Sequence, residues 1–240
     1  MVSVMGVDGC RAGWFFFHLV SGKAPAYGVV PTVENLLGAS YRADQIFIDI
    51  PIGLRDQEGH ARRCDAEARK LLKAPRASSV FPAPLRAILG EPDYESARAK
   101  SRELAGKSPS RQTFGIVPKI RQVDQLLQQD LPARLRLKEV HPELCFWGLA
   151  GGYPMQHGKS TPAGFEERIA ALENHYPGAR SLVDKAIAEF PRKEVARDDV
   201  VDALVCAVVA SMPVHWQTVP AEPELDSTGL PMQIVYALVS

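Results

Sequence analysis

The chain has no net charge to spend on a polyanion: 28 Lys and Arg residues balance 28 Asp and Glu. Proteins that grip long nucleic acid through bulk positive charge are strongly basic, so a broad, non-specific grip is disfavoured while a local basic groove stays open. Long apolar runs are missing too. The most apolar stretch, residues 203–212, is far shorter than the ~18 residues a membrane-spanning helix needs, and no membrane association is expected. Cysteine is scarce: Cys10, Cys64, Cys145 and Cys206 are scattered, with no Cys-x-x-Cys pair and no zinc-type spacing. A disulfide framework is unnecessary, because 240 residues can bury a sizeable core without one. The opening MVSVMGVDGC has no basic segment and Asp8 interrupts its apolar run, which makes a poor signal peptide. A cytoplasmic protein with reduced thiols is expected.

Composition is that of a soluble globular domain, with 46% hydrophobic and 23% charged residues. No repeat, low-complexity tract or long linker divides the chain, so residues 1–240 read as one domain with a Pro-rich, partly irregular helical insertion at about 77–112. Residues 2–7 and 14–20 are apolar, aromatic and β-branched around a turn at Asp8-Gly9, which predicts a hairpin. Residues 26–30 and 46–50 predict further strands, with a short helix starting after Thr32 between them. Helical spacing predicts helices over 60–73 and 115–131, with Pro118 in the first turn of the second. Residues 135–140 predict another strand, and helices follow at 162–174, 179–189 and 197–212 before a final strand at 232–239. Strands interleaved with helices make an α/β fold.

The informative feature is where carboxylates interrupt buried apolar runs. Asp8 ends the first strand and Asp49 sits within IFIDIP. Asp199 and Asp202 open an otherwise apolar helix at i, i+3 and share a face. Buried carboxylates need a partner, a metal or hydrogen bonds, and a cluster of them repels itself unless a cation neutralises it. Oxygen-only ligands suit Mg²⁺ or Mn²⁺ rather than zinc. Two such ions ~3.5–4 Å apart support phosphodiester hydrolysis by activating water and stabilising the leaving oxygen. Glu139, His141 and Glu143 alternate with apolar positions, and an extended chain would put all three on one face, which adds Glu143 as a candidate. Each acid also has a plainer explanation: Asp8 before Gly9 as a turn residue, Asp49 as a loop cap, Asp198 and Asp199 as first-turn residues favoured by the helix dipole. Asp202 is the hardest to explain away, because Ala203, Leu204, Val205 and Cys206 follow it directly.

The segments VMGVDGCRAGW, IFIDIPIGL, RRCDAEAR, SSVFPAP, FGIVPKIRQVD, VHPELCFWGLAGG, DDVVDALVCA and DSTGLPMQIVY together resemble domain of unknown function family 429, a group described as predicted RNase H-like nucleases. The resemblance runs from about Val4 to Tyr236. It implies an RNase H-like mixed five-stranded sheet, its first three strands antiparallel, flanked by helices. It also implies that Asp8 is the first-strand catalytic acid and that Asp49 matches the second acidic position. The DxxDA pattern at Asp199, Asp202 and Ala203 is similar to the final helix of Holliday-junction resolvases of that fold, where two carboxylates complete the metal site.

Basic and polar residues are candidates for holding phosphate. Arg62 and Arg69 fall on one predicted helix face with Asp65, and Arg76, Ser79, Lys119 and Lys159 could join them. Solvated ion pairing such as Arg62–Asp65 explains the first group equally well. His141 is a candidate proton shuttle or a hydrogen-bonded structural histidine. The leading expectation is a metal-dependent nuclease or phosphodiesterase acting on nucleic acid or a nucleotide-sized molecule. The alternative is a non-cleaving nucleotide-binding or regulatory module, since VMGVDGCRAGW also resembles the first phosphate-binding turn of actin-like and sugar-kinase ATPases. A homodimer would be one form of that alternative.

Overall fold

Both faces of the first strand are apolar, as required of a strand at the middle of a sheet covered on two sides. In the computed structural model, which describes residues 2–38, 41–57 and 61–239, β1 (Ser3–Cys10) pairs antiparallel with β2 (Gly13–Val20), and β2 with β3 (Ala26–Val30). β4 (Gln45–Ile48) joins the other edge of β1 in parallel, and β5 (Leu137–Glu139) lies parallel to β4. The resulting order, β3-β2-β1-β4-β5, is a five-stranded mixed sheet with its first three strands antiparallel. That is the α/β arrangement expected from the resemblance. β6 (Trp216–Leu225) and β7 (Pro231–Ala237) form a separate two-stranded sheet.

The helices are α1 (Arg63–Arg76), α2 (Tyr94–Ala105), α3 (Arg111–Gly115), α4 (Val117–Gln129), α5 (Leu131–Arg136), α6 (Pro142–Leu149), α7 (Pro162–His175), α8 (Ala179–Glu189) and α9 (Arg197–Ala210). The period of two along β2 sorts them onto the two faces of the sheet. Phe15 and Phe17 point into a core built with α6 to α9, whereas Trp14 and Phe16 point into one that includes Ile120 and Val123 of α4. A third cluster, with Cys64, Leu72, Leu144 and Ile234, joins α1 and α6 to the small sheet. α9 is buried at every position from Val200 to Ala210. It lies against β1 so closely that a Cβ on Gly6 would fall 2.0 Å from Ala207 N and 2.2 Å from Ala203 O. Only glycine permits that approach.

Several boundaries differ from the sequence pattern, each for a local reason. Asp8 lies within β1 opposite Phe15, because the strand runs on to Cys10 before turning. β4 stops at Ile48, so Asp49 stands just beyond it. The expected strand at 135–140 is helical as far as Arg136, where Asp130 caps α5 through Ala133 N at 2.9 Å. The same Asp130 ends α4 before residue 131, and α4 starts only at Val117 because Ser110 caps a separate short helix, α3. The helix expected over 60–73 begins at Arg63; His60 lies outside the described residues, and the backbone leaves helical angles at Lys73 and Ala74 ahead of Pro75. The Pro-rich segment at 77–112 contains a regular helix, α2, with Asp93 accepting from Ser96 N at its start and Gly106 in the left-handed conformation at its end. Among the described residues no helix is long and apolar enough to cross a membrane. The four cysteines are free and buried.

Candidate metal centre

The sheet topology brings the acids of distant segments together. Val7 and Ile48 are partners in the parallel β1–β4 pairing, and Asp49 N continues the ladder to Val7 O at 3.0 Å. Asp8, inside β1, and Asp49, just past the end of β4, are therefore neighbours across the ladder. Asp202 comes from α9, one residue before the Ala203 carbonyl that abuts Gly6. One carboxylate oxygen from each of Asp8, Asp49 and Asp202 lies within 4.8 Å of the others. The three line an open cavity of about 450 Å³, with Asp199 on its wall one turn earlier in α9. Asp199 also accepts the Ala196 N–H at 2.8 Å, so the helix-capping explanation holds for it as well. Asp198 is a partly exposed first-turn residue, 3.6 Å from Lys159 Nζ.

Crowding perturbs these groups. Burial, then the charges of Asp49, Asp202 and Asp199, push Asp8 well above the usual carboxylate range. Burial and Asp202 push Asp49 up to about 7, and burial is the main cause of the rise to about 6 at Asp199. Asp202 is also raised by burial, with Lys159 opposing the shift. Native carboxyls raised in this way bind protons more tightly than the unfolded chain does. Their stabilising contribution is complete below about pH 4 and is lost as pH rises through about 7. Asp49→Asn removes that loss. In the cation-free protein the variant's advantage in melting temperature over wild type is therefore expected to grow between about pH 5 and about pH 8. A gap that is constant or shrinking over this range, measured by thermal melts in EDTA, would show that burial and its acidic neighbours do not raise the Asp49 carboxyl.

The other expected residues divide into those that face the cavity and those that do not. Glu143 lies on the wall, but it belongs to the first turn of α6 rather than to an extended segment, so Glu139, His141 and Glu143 do not share a strand face. Its Oε1 receives Arg168. His141 precedes α6 on the same wall, with Nε2 3.3 Å from Ser79 O, and burial holds its pKa below the ordinary histidine value. Lys119 donates to Gly13 O at 2.6 Å and stacks on Trp14 at 4.7 Å, its stem crossing Gly9, where a Cβ would meet Lys119 Cδ at 2.7 Å. Arg76 and Ser79 also line the cavity; Arg76 Nη2 donates to Gln156 O at 3.2 Å, and Ser79 Oγ donates to Arg76 O at 2.7 Å. Lys159 bonds Asp202 Oδ2 at 2.8 Å.

Arg62 and Arg69 depart from the phosphate-holding expectation. Arg62 borders the cavity but is only 3% exposed, and its guanidinium is taken up by Asp65, Glu139 and the carbonyls of Ile52 and Gly53. Arg69 lies off the wall and donates to Val80 O at 2.7 Å. Sequence reasoning missed Arg168, the buried partner of Glu143, and Gln112, which lines the cavity from α3. Arg168 had left a signal: it is the charged member of an otherwise apolar helical stripe with Phe165, Ile169 and Leu172.

No match to the chain was found among curated proteins or among solved structures. The profile of the family described as "Protein of unknown function (DUF429)" matches residues 6–224, a span that contains every one of these acids. The chain belongs to that family.

Proposed function

We propose that this protein is a divalent-cation-dependent phosphodiesterase or nuclease. The observation that carries this reading is the convergence of Asp8, Asp49 and Asp202 within 4.8 Å on an open cavity. The donor set is all oxygen, which fits Mg²⁺ or Mn²⁺, and burial, with the charges of the neighbouring acids, makes the ionised carboxylates costly in a way that a cation would relieve. Asp8, Asp49 and Asp202 would hold the ion, with Asp199 in support. When bound, such an ion supplies Lewis acidity and makes water nucleophilic near neutral pH. The chain's own residues do the rest. Lys119 and Arg76 offer positive charge on the wall for a phosphodiester, and uncharged His141 is available there to move a proton. A cavity of about 450 Å³ suits a nucleotide-sized group or a locally gripped strand. Four free, buried thiols fit the reducing cytoplasm.

The direct test incubates purified protein with duplexes, RNA–DNA hybrids, junctions and dinucleotides in Mg²⁺ or Mn²⁺. Cleavage of one class that stops with EDTA is expected. Failure to cleave any of them with either ion would overturn the proposal.

A further inference from the structure

Lys159 is a positive charge built into the acidic cluster. Its Nζ lies 2.8 Å from Asp202 Oδ2 and 3.6 Å from Asp198 Oδ2, so one of the three converging carboxylates already has a cation on it. The lysine is held in place by its loop. Glu167 accepts the N–H groups of Gln156 and His157 at 2.7 and 2.9 Å, and Arg168 donates to His157 O at 3.1 Å. The Gly158 carbonyl fits so tightly on the first turn of α7 that a Cβ on Gly164 would lie 2.0 Å from it.

Charge counting gives the consequence. Seven carboxylates and four cations line the cavity, and their off-wall partners Arg168, on Glu143, and Asp198, by Lys159, add one of each sign. The excess is three negative charges: one divalent ion leaves the wall still negative, and two would make it net positive. An independent sign of a missing ligand is Glu143 Oε2: Glu143 is 6% exposed, and this oxygen has no hydrogen-bond partner among the described residues. Buried oxygens are normally satisfied. With the first ion and the Lys159 ammonium both on Asp202, a second divalent ion drawing on the same carboxylate would be repelled by two cations at once.

We propose that Lys159 takes the place of a second cation, so that the cluster accepts one divalent ion rather than the pair common in phosphodiester hydrolysis. This rests on the phosphodiesterase reading, and its test separates the two. Mn²⁺ is titrated into the purified full chain and its derivatives, with bound ions counted by calorimetry and by electron paramagnetic resonance of the free ion. Wild type and Lys159→Arg are expected to bind one ion, and Lys159→Met two. Two ions on wild type, or one on a Lys159→Met protein that melts cooperatively, would overturn the role of Lys159 and leave the phosphodiesterase reading intact. No ion on wild type would overturn both. The wild-type count decides the matter even if Lys159→Met does not fold.

Discussion

Asp8→Asn is expected to lower cation-dependent cleavage by on the order of 10³-fold, the loss of several kcal/mol of transition-state stabilisation, while raising the melting temperature of the cation-free protein. The two signs have one cause. Asp8 stands against Asp49, Asp202 and Asp199, and burial together with those charges makes its ionised form costly. Removing the charge relieves the fold and disables the centre. The competing role, a turn residue, rests on the 2.6 Å bond from Gly9 N to Asp8 Oδ1. If that bond were the reason for the aspartate, the variant would keep its activity and melt lower. Initial rates at saturating Mn²⁺ and melts in EDTA measure both quantities on the same preparation.

The second large effect is on stability. Arg62→Met leaves Asp65, 1% exposed, and Glu139, 5% exposed, without their counter-charge. Removing one member of a buried ion pair costs about 3–5 kcal/mol, which for a chain of this size lowers the melting temperature by about 10 °C. A phosphate-binding arginine would behave differently, with an unchanged melting temperature and a raised KM. Denaturant titration and thermal melts of the single variant distinguish the two, and a loss below about 1 kcal/mol would refute the structural role.

Much of the site was legible because a carboxylate inside an apolar run is a local anomaly, visible without knowing what surrounds it. Asp8, Asp49 and Asp202 all have that signature, and the α/β pattern suggested that a single sheet could bring their segments together. What escaped was either uniform or distant. α6 shows no period because all eight of its residues are buried, leaving no polar face to mark the turn of the helix. β6 escaped for the opposite reason: it carries Glu and Pro and is exposed over its second half. The insertion was expected to be helical, but surrounding prolines masked the start and stop of α2 at Asp93 and Gly106. The pairing of Arg62 with Asp65 was visible in the spacing, but not its burial, because Glu139, the other partner, lies 77 residues away. A spacing argument can see i, i+3 and i+7, but it cannot see the far side of a fold.

The contact at Gly6 has a mechanical consequence for the centre. α9 rests on bare backbone there, one residue from an acid of the cluster, so the contact leaves no slack between the helix that carries Asp202 and the strand that carries Asp8. A single methyl group on Gly6 would meet α9 backbone at Ala203 and Ala207 and force the helix that carries Asp202 and the strand that carries Asp8 apart, without touching any charged group. The spacing of the three carboxylates is thus gauged by an atom that glycine does not have.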